Sequence, residues 1–227
     1  MRALLLPIKD HRNAKQRLAG ALSPEERLAL ARAMMDDVLT AVRGVHRAAR
    51  IFVVTNYEPA MRIAESVGWH VLAEDEQTSE SASVDAASRL CAAQGVTALL
   101  RLPLDLPLVK SSDIDELLAL EFSAPATVMV PSRDGTGTNA LLRTPPTLFP
   151  SQFGHGSFAK HHALAHAAGS QILVRRNPRL EMDVDDADDL AALLQHDLSG
   201  TATGRWLSAS GVAARFAPAE ERSTSAD

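Results

Sequence analysis

Short, wholly apolar runs alternate with amphipathic stretches along almost the whole chain, and this alternation most constrains the fold. The runs "ALLLPI", "RIFVVTN", "WHVLAE", "VTALLRLPLD", "ATVMVPS" and "SQILVRR" have strand length and no in/out alternation, as in strands buried on both faces. Between them lie helical patterns. Residues 23–44 open with Ser23 as N-cap, Pro24 in the first turn and Glu26 three residues on, and close at Gly44. The segments "EPAMRIAESVG", "SASVDAASRLCAAQG", "SSDIDELLAL", "SFAKHHALAHAAG" and "DADDLAALLQH" read the same way. Strands that alternate with helices predict an α/β domain: a mainly parallel sheet covered on both faces, in three layers. One domain over residues 1–216 is expected, followed by a polar, disordered tail, "APAEERSTSAD", over 217–227.

Composition narrows the function classes. A net charge of -5 and no long basic stripe argue against nucleic acid as a partner. No apolar run approaches membrane-spanning length, and "MRALLLPIK" is charged too soon to read as a leader, so a cytoplasmic protein with no membrane partner is expected. Cys91 is the only cysteine and sits in an apolar helix, where burial is the ordinary reading.

Ligands of open α/β sheets bind beyond the carboxyl ends of the strands, so the segments that follow the strands carry the interest. Lys9, Arg12, Lys15 and Arg17 follow the first, a local concentration of positive charge in an acidic protein. Arg12 is expected at the surface. Asp105 follows the fourth, held between Pro103 and Pro107. Asp183 and Asp185 alternate with Val184, so an extended backbone points both carboxylates one way. Hard oxygen donors of this kind suit magnesium. For Asp183 and Asp185 helix capping is an equal alternative, and Asp186, Asp188 and Asp189 read as capping residues.

Two glycine-rich pieces supply anion-binding chemistry. In "RDGTGTN", Gly135 and Gly137 let backbone approach an anion, and Thr138 and Asn139 add hydroxyl and amide donors. In "FGHGSFAKHH", Gly154 and Gly156 precede Ser157, which would cap a helix and direct free N–H groups at a phosphate or carboxylate. A surface turn and a plain helix start are the competing readings. His155, His161, His162 and His166 cluster here too, but with no carboxylate or cysteine at matching local spacing a metal site is the minor alternative.

Taken in order, "LPIKDHRNAKQRLAGALSPEERLALARAMMDDVL", "RLPLDLPLV", "DGTGTNALL", "FGHGSFAKH" and "LEMDVDDADDL" resemble the 2-phospho-L-lactate guanylyltransferase family from Met1 to about Gln195. That resemblance implies the glycosyltransferase-A-like sandwich of nucleotide-diphospho-sugar transferases. It implies transfer of GMP from GTP to 2-phospho-L-lactate, phosphoenolpyruvate or 3-phospho-D-glycerate, with release of diphosphate, in coenzyme F(420) biosynthesis. Asp105, Asp183 and Asp185 would then hold magnesium. Pro7, Lys9, Lys15 and Arg17 would bind the nucleotide, with the three cations and Asp105 in catalytic roles. Thr138, Asn139, Gly154 and Ser157 would bind the acceptor. Asp85, in "VDAA" where the family commonly shows Leu-Asn-Ala-Ala, would stand near the base. Partners are then GTP, the phosphorylated acid and a downstream deazaflavin transferase that consumes the product, with a homodimer left open. The alternatives are a cytidylyl- or sugar-nucleotide-forming enzyme of the same fold, and a nucleotide-binding regulatory protein without turnover.

Overall fold

A computed structural model describes residues 1–11 and 14–216; the expectations for Arg12 and for the tail after Phe216 fall outside the described residues. The strands are β1 (Arg2–Pro7), β2 (Arg50–Thr55), β3 (His70–Ala73), β4 (Ala98–Arg101), β5 (Ala126–Pro131), β6 (Thr138–Thr144) and β7 (Gln171–Val174). The helices are α1 (Pro24–Arg43), α2 (Glu58–Ser66), α3 (Glu80–Ala93), α4 (Ser111–Ala119), α5 (Ser157–Ala167), α6 (Pro178–Glu181), α7 (Ala187–Leu193), α8 (Ala202–Ser210) and α9 (Val212–Phe216). α1 starts where the sequence places it. The Ser23 side chain accepts from Glu26 N–H, and the Glu26 carboxylate accepts from Ser23 N–H.

The sheet runs β3-β2-β1-β4-β6-β5-β7 and is parallel except for β6, which is antiparallel to both its neighbours. β6 departs from the sequence reading, in which "GTNALL" only continues a glycine-rich turn. The turn is real and tight: Gly135 has φ +77, and Gly137 N–H donates to Ser132 Oγ at 2.6 Å. It folds the chain back as a hairpin, so Thr138 and Asn139 start a strand at the edge where β5 ends, with Thr138 opposite Pro131.

Successive residues of β1 point to opposite faces. Leu4 and Leu6 pack with α1, α2 and α4 through Val38, Ala60 and Ile114, while Ala3 and Leu5 pack with Phe52 and with Val84, Ala87 and Cys91 of α3. Further along that second face, Met129 and Leu141 meet Ala165 of α5. Burial pushes the Cys91 thiol up to about 11, the signature of an inert core cysteine. The C-terminal helices α7, α8 and α9 form a separate cluster with Leu30 and Met34 of α1. Asp37 of α1 fastens them by capping α8, accepting from Ala202 N–H at 2.6 Å and Thr203 N–H at 2.9 Å. Because Leu5 is fully buried on a central strand, Leu5→Ala is expected to lower the unfolding free energy by about 2–5 kcal/mol in a urea titration, with an unchanged m-value.

Candidate functional site

The segments after β1, β4 and α6 converge on one ionic centre. Lys15 Nζ donates to Asp105 Oδ2 at 2.6 Å and to Asp185 Oδ1 at 2.8 Å, and Arg17 stands 3.9 Å from Asp185 Oδ2. Lys15 reaches in from a left-handed backbone conformation, φ 55, which costs a non-glycine residue of order 1 kcal/mol or more. Burial alone would lower the Lys15 pKa, but Asp105 and Asp185 outweigh it and hold the ammonium above its ordinary value. Burial likewise opposes ionisation of Asp105, and Lys15 overcomes it. Among the described residues Asp183 has no such partner. Burial and then the charge of Asp105 push it up to about 7, although Asn139 Nδ2 donates to it at 3.0 Å.

Two clefts share this centre. The smaller, about 180 Å³, is lined by Pro7, Lys9, His11, Lys15 and Met34. The larger, about 780 Å³, is walled by Thr138, Asn139, Gly154, Ser157, Asp183 and Asp185; this volume suits a small-molecule site. Glu80, Arg101, Pro103 and Asp105 face both. The structure thus gathers Pro7, Lys9, Lys15, Arg17, Asp105, Thr138, Asn139, Gly154, Ser157, Asp183 and Asp185 around adjoining clefts.

Asp85 is not among them. Its carboxylate accepts from Ser151 N–H at 2.9 and 3.1 Å and lies 3.6 Å from Arg143, because its face of α3 packs on the loop before α5. Asp85 lines neither cleft, and its carboxylate is engaged by the Ser151 N–H beside Arg143. A correction concerns α5. Gly156, at φ +67, is its N-cap, and Ser157 is its first residue. The backbone N–H groups expected to be free at that end are engaged, Ser157 N–H with Gly154 O and Phe158 N–H with Thr136 O, both at 3.0 Å. Ser157 lines the larger cleft, with its hydroxyl directed at Thr138 Oγ1 at 3.3 Å. The histidines do not act together either: His155, His162 and His166 are exposed, whereas His161 is fully buried.

Sequence reasoning missed Arg101. It is 6% exposed at the end of β4, pairs with Glu80, donates to the carbonyls of Thr138 and Asn139 at 3.2 and 3.3 Å, and lies 4.1 Å over the Phe153 ring. The available signal was an arginine inside the apolar run "TALLRLPL".

No set of three His, Cys, Asp or Glu side chains among the described residues is arranged as a ready metal cage, and Lys15 Nζ lies between two of the candidate ligands. The donor set nevertheless fits a hard divalent cation. Asp105, Asp183 and Asp185 bring hard oxygen donors together; Lys15 engages Asp105 and Asp185 only, and Asp183 is pushed up by burial and then by the charge of Asp105.

The open α/β sheet, with its carboxylate- and cation-lined edge, has the nucleotide-diphospho-sugar transferase fold. A protein from Desulfovibrio desulfuricans described as a nucleotide-diphospho-sugar transferase superposes with a TM-score of 0.77 over 95% of this chain and 97% of its own, at 14% identity. The chain belongs to the family described as guanylyl transferase CofC like, whose model matches residues 1–225. Among its relatives, the phosphoenolpyruvate guanylyltransferase of Conexibacter woesei is 38% identical over 190 residues, covering 83% of this chain and 85% of the relative. The 2-phospho-L-lactate guanylyltransferase of Methanothermobacter thermautotrophicus is 30% identical, covering 85% and 83%. No helix among the described residues is long and apolar enough to cross a membrane.

Burial, then the charges of Arg143, Arg101 and Lys160, hold His161 down at about 3. The folded state therefore keeps a neutral imidazole between pH 6.5 and 3, while the unfolded chain takes up a proton. Stability is full above pH 6.5 and falls with acidification, by up to about 1.4 kcal/mol per pH unit from this group. Urea titrations from pH 7 to 4 are expected to show a shallower loss in His161→Gln than in the wild type.

Proposed function

We propose that the protein transfers GMP from GTP to a phosphorylated three-carbon acid, 2-phospho-L-lactate, phosphoenolpyruvate or 3-phospho-D-glycerate, and releases diphosphate, in coenzyme F(420) biosynthesis. One observation carries this reading: a cation-lined cleft and a hydroxyl- and amide-lined cleft meet at the shared wall of Asp105 and Arg101. The reaction needs two anionic substrates held end to end, and that is what adjoining clefts with a common charged wall provide.

An oxygen of the acceptor's phosphate attacks the α-phosphorus of GTP. A new P–O bond forms there, the bond to the β-phosphate oxygen breaks, and its electron pair leaves with diphosphate. The nucleophile is already anionic, so no general base is required, and catalysis is alignment plus neutralisation of charge. The two substrates bring together about six negative charges, whose repulsion at short range costs several kcal/mol even when partly screened. Lys9 and Lys15 of the smaller cleft, with Arg17 on the wall of the larger one, offset it along the triphosphate, and Pro7 lines the smaller cleft. Thr138, Asn139, Gly154 and Ser157 line the cleft that would take the acceptor's phosphate and carboxylate. Asp105, Asp183 and Asp185 are the residues that would hold magnesium, which supplies charge neutralisation and orientation of phosphate oxygens. Lys15 holds two of these carboxylates, Asp105 and Asp185, and would share them with such an ion. A deazaflavin transferase that consumes the product is the expected partner.

Diphosphate release from GTP and magnesium, measured with each of the three acids in parallel and with the consuming transferase present, tests the proposal. Release with one acid is the expected result; turnover with CTP and none with GTP would overturn it. Asp105→Asn is expected to lower kcat at least about a hundredfold while leaving the far-ultraviolet circular dichroism unchanged.

A further inference from the structure

Thr138 Oγ1 lies 3.0 Å from Nδ1 of His161, and the backbone N–H of Gln152 donates to Nε2 of the same ring at 2.8 Å. An amide N–H can only donate, so Nε2 must offer its lone pair. In a neutral imidazole the proton then sits on Nδ1, aimed at Thr138 Oγ1. Ser157 Oγ donates to that same oxygen at 3.3 Å. A threonine hydroxyl has two acceptor positions and one proton. With both positions taken, what remains to Thr138 is to donate its own proton, and the open side of this residue is the larger cleft.

We propose that His161 is a positioning residue that locks the Thr138 hydroxyl as a hydrogen-bond donor to an anionic oxygen of the acceptor acid. The inference rests on the reading of the larger cleft as the acceptor site. It gives a function to a histidine that touches no substrate. The three groups are nearly dry, with His161 0%, Ser157 2% and Thr138 5% exposed, so solvent does not scramble the hydroxyl orientation. The ring itself is wedged by Phe153, whose centroid lies 4.9 Å away in an edge-on contact, and by Phe149 at 6.2 Å. Neutrality matters to the device. A protonated ring would set an Nε2–H against the Gln152 N–H, donor against donor, and its depressed pKa excludes that state near neutral pH. A rotatable hydroxyl can meet an anion with its lone pairs, which repels, or with its proton, which attracts; fixing the second arrangement before binding removes both the wrong state and the cost of choosing.

Two substitutions separate the two contacts of the ring. His161→Gln keeps an acceptor within reach of Gln152 N–H but puts no donor beside Thr138, whereas His161→Asn can donate near the Nδ1 position and gives up the Gln152 contact. The full chain would be titrated calorimetrically with phosphoenolpyruvate, 2-phospho-L-lactate and 3-phospho-D-glycerate, alongside steady-state kinetics. Expected are a rise of about tenfold in acceptor Kd and KM for His161→Gln, with the KM for GTP within about twofold, and recovery to within about threefold in His161→Asn. Thr138→Val should match His161→Gln, and the double variant should be no weaker than Thr138→Val alone. Imidazole nitrogen spectra of the wild type should show His161 protonated at Nδ1, a readout that does not depend on how any variant folds. Unchanged acceptor affinity in a folded His161→Gln, or an Nε2-protonated ring, overturns the inference and leaves the proposed function standing. A wild type that binds none of the three acids overturns both.

Discussion

The Lys15–Asp105–Asp185 cluster is the interaction on which the site depends. Its members are 90 and 170 residues apart in sequence, and their contacts of 2.6 and 2.8 Å tie the segment after β1 to the segments after β4 and α6. Removing such charges from water costs several kcal/mol per ion, which their attraction only partly returns. The cluster is therefore better understood as fixing geometry than as adding stability. Stability comes from elsewhere: the two faces of β1 bury Leu4 and Leu6 on one side and Ala3 and Leu5 on the other, and each such leucine contributes about 1.5–3 kcal/mol when fully buried. The apolar sheet holds the ionic edge in place.

The reversed strand β6 is the second decisive feature. Because it runs against β4 and β5, its first residues lie at the edge where its neighbours end. Thr138 and Asn139 thus enter the cleft from a strand rather than from a loop, which gives their side chains fixed directions. Arg101 stiffens that start by donating to both of their carbonyls, Asn139 holds Asp183, and His161 holds Thr138. One short hairpin therefore connects the hydroxyl-lined wall to the carboxylate centre.

The elements were largely legible in the sequence. The capping box at Ser23 and Glu26 and the apolar periods predicted α1 and the parallel strands, since these signals are local. β6 was not legible, because seven residues after a glycine-rich turn carry too few cues to choose between turn and strand. Of the site, charge and position after a strand were enough to single out Lys9, Lys15, Arg17, Asp105, Asp183 and Asp185. The same logic did not foresee that Asp85 accepts from Ser151 N–H and lies outside both clefts. It also overlooked Arg101, an isolated charge in an apolar strand.

The sequence by itself determined the α/β class and the inventory of chemistry: cations after the first strand, acids after later ones, and small hydroxyl residues among glycines. These follow from periodicity and residue type, which act over a few residues. Only the tertiary structure decided which of those groups meet. That Lys15 sits between two carboxylates, that Asp183 meets Asn139, and that His161 is sealed behind Thr138 depend on strand order and on the reversal of β6. Those are products of long-range packing, in which burial raises the worth of each pairing and no local pattern records the partner.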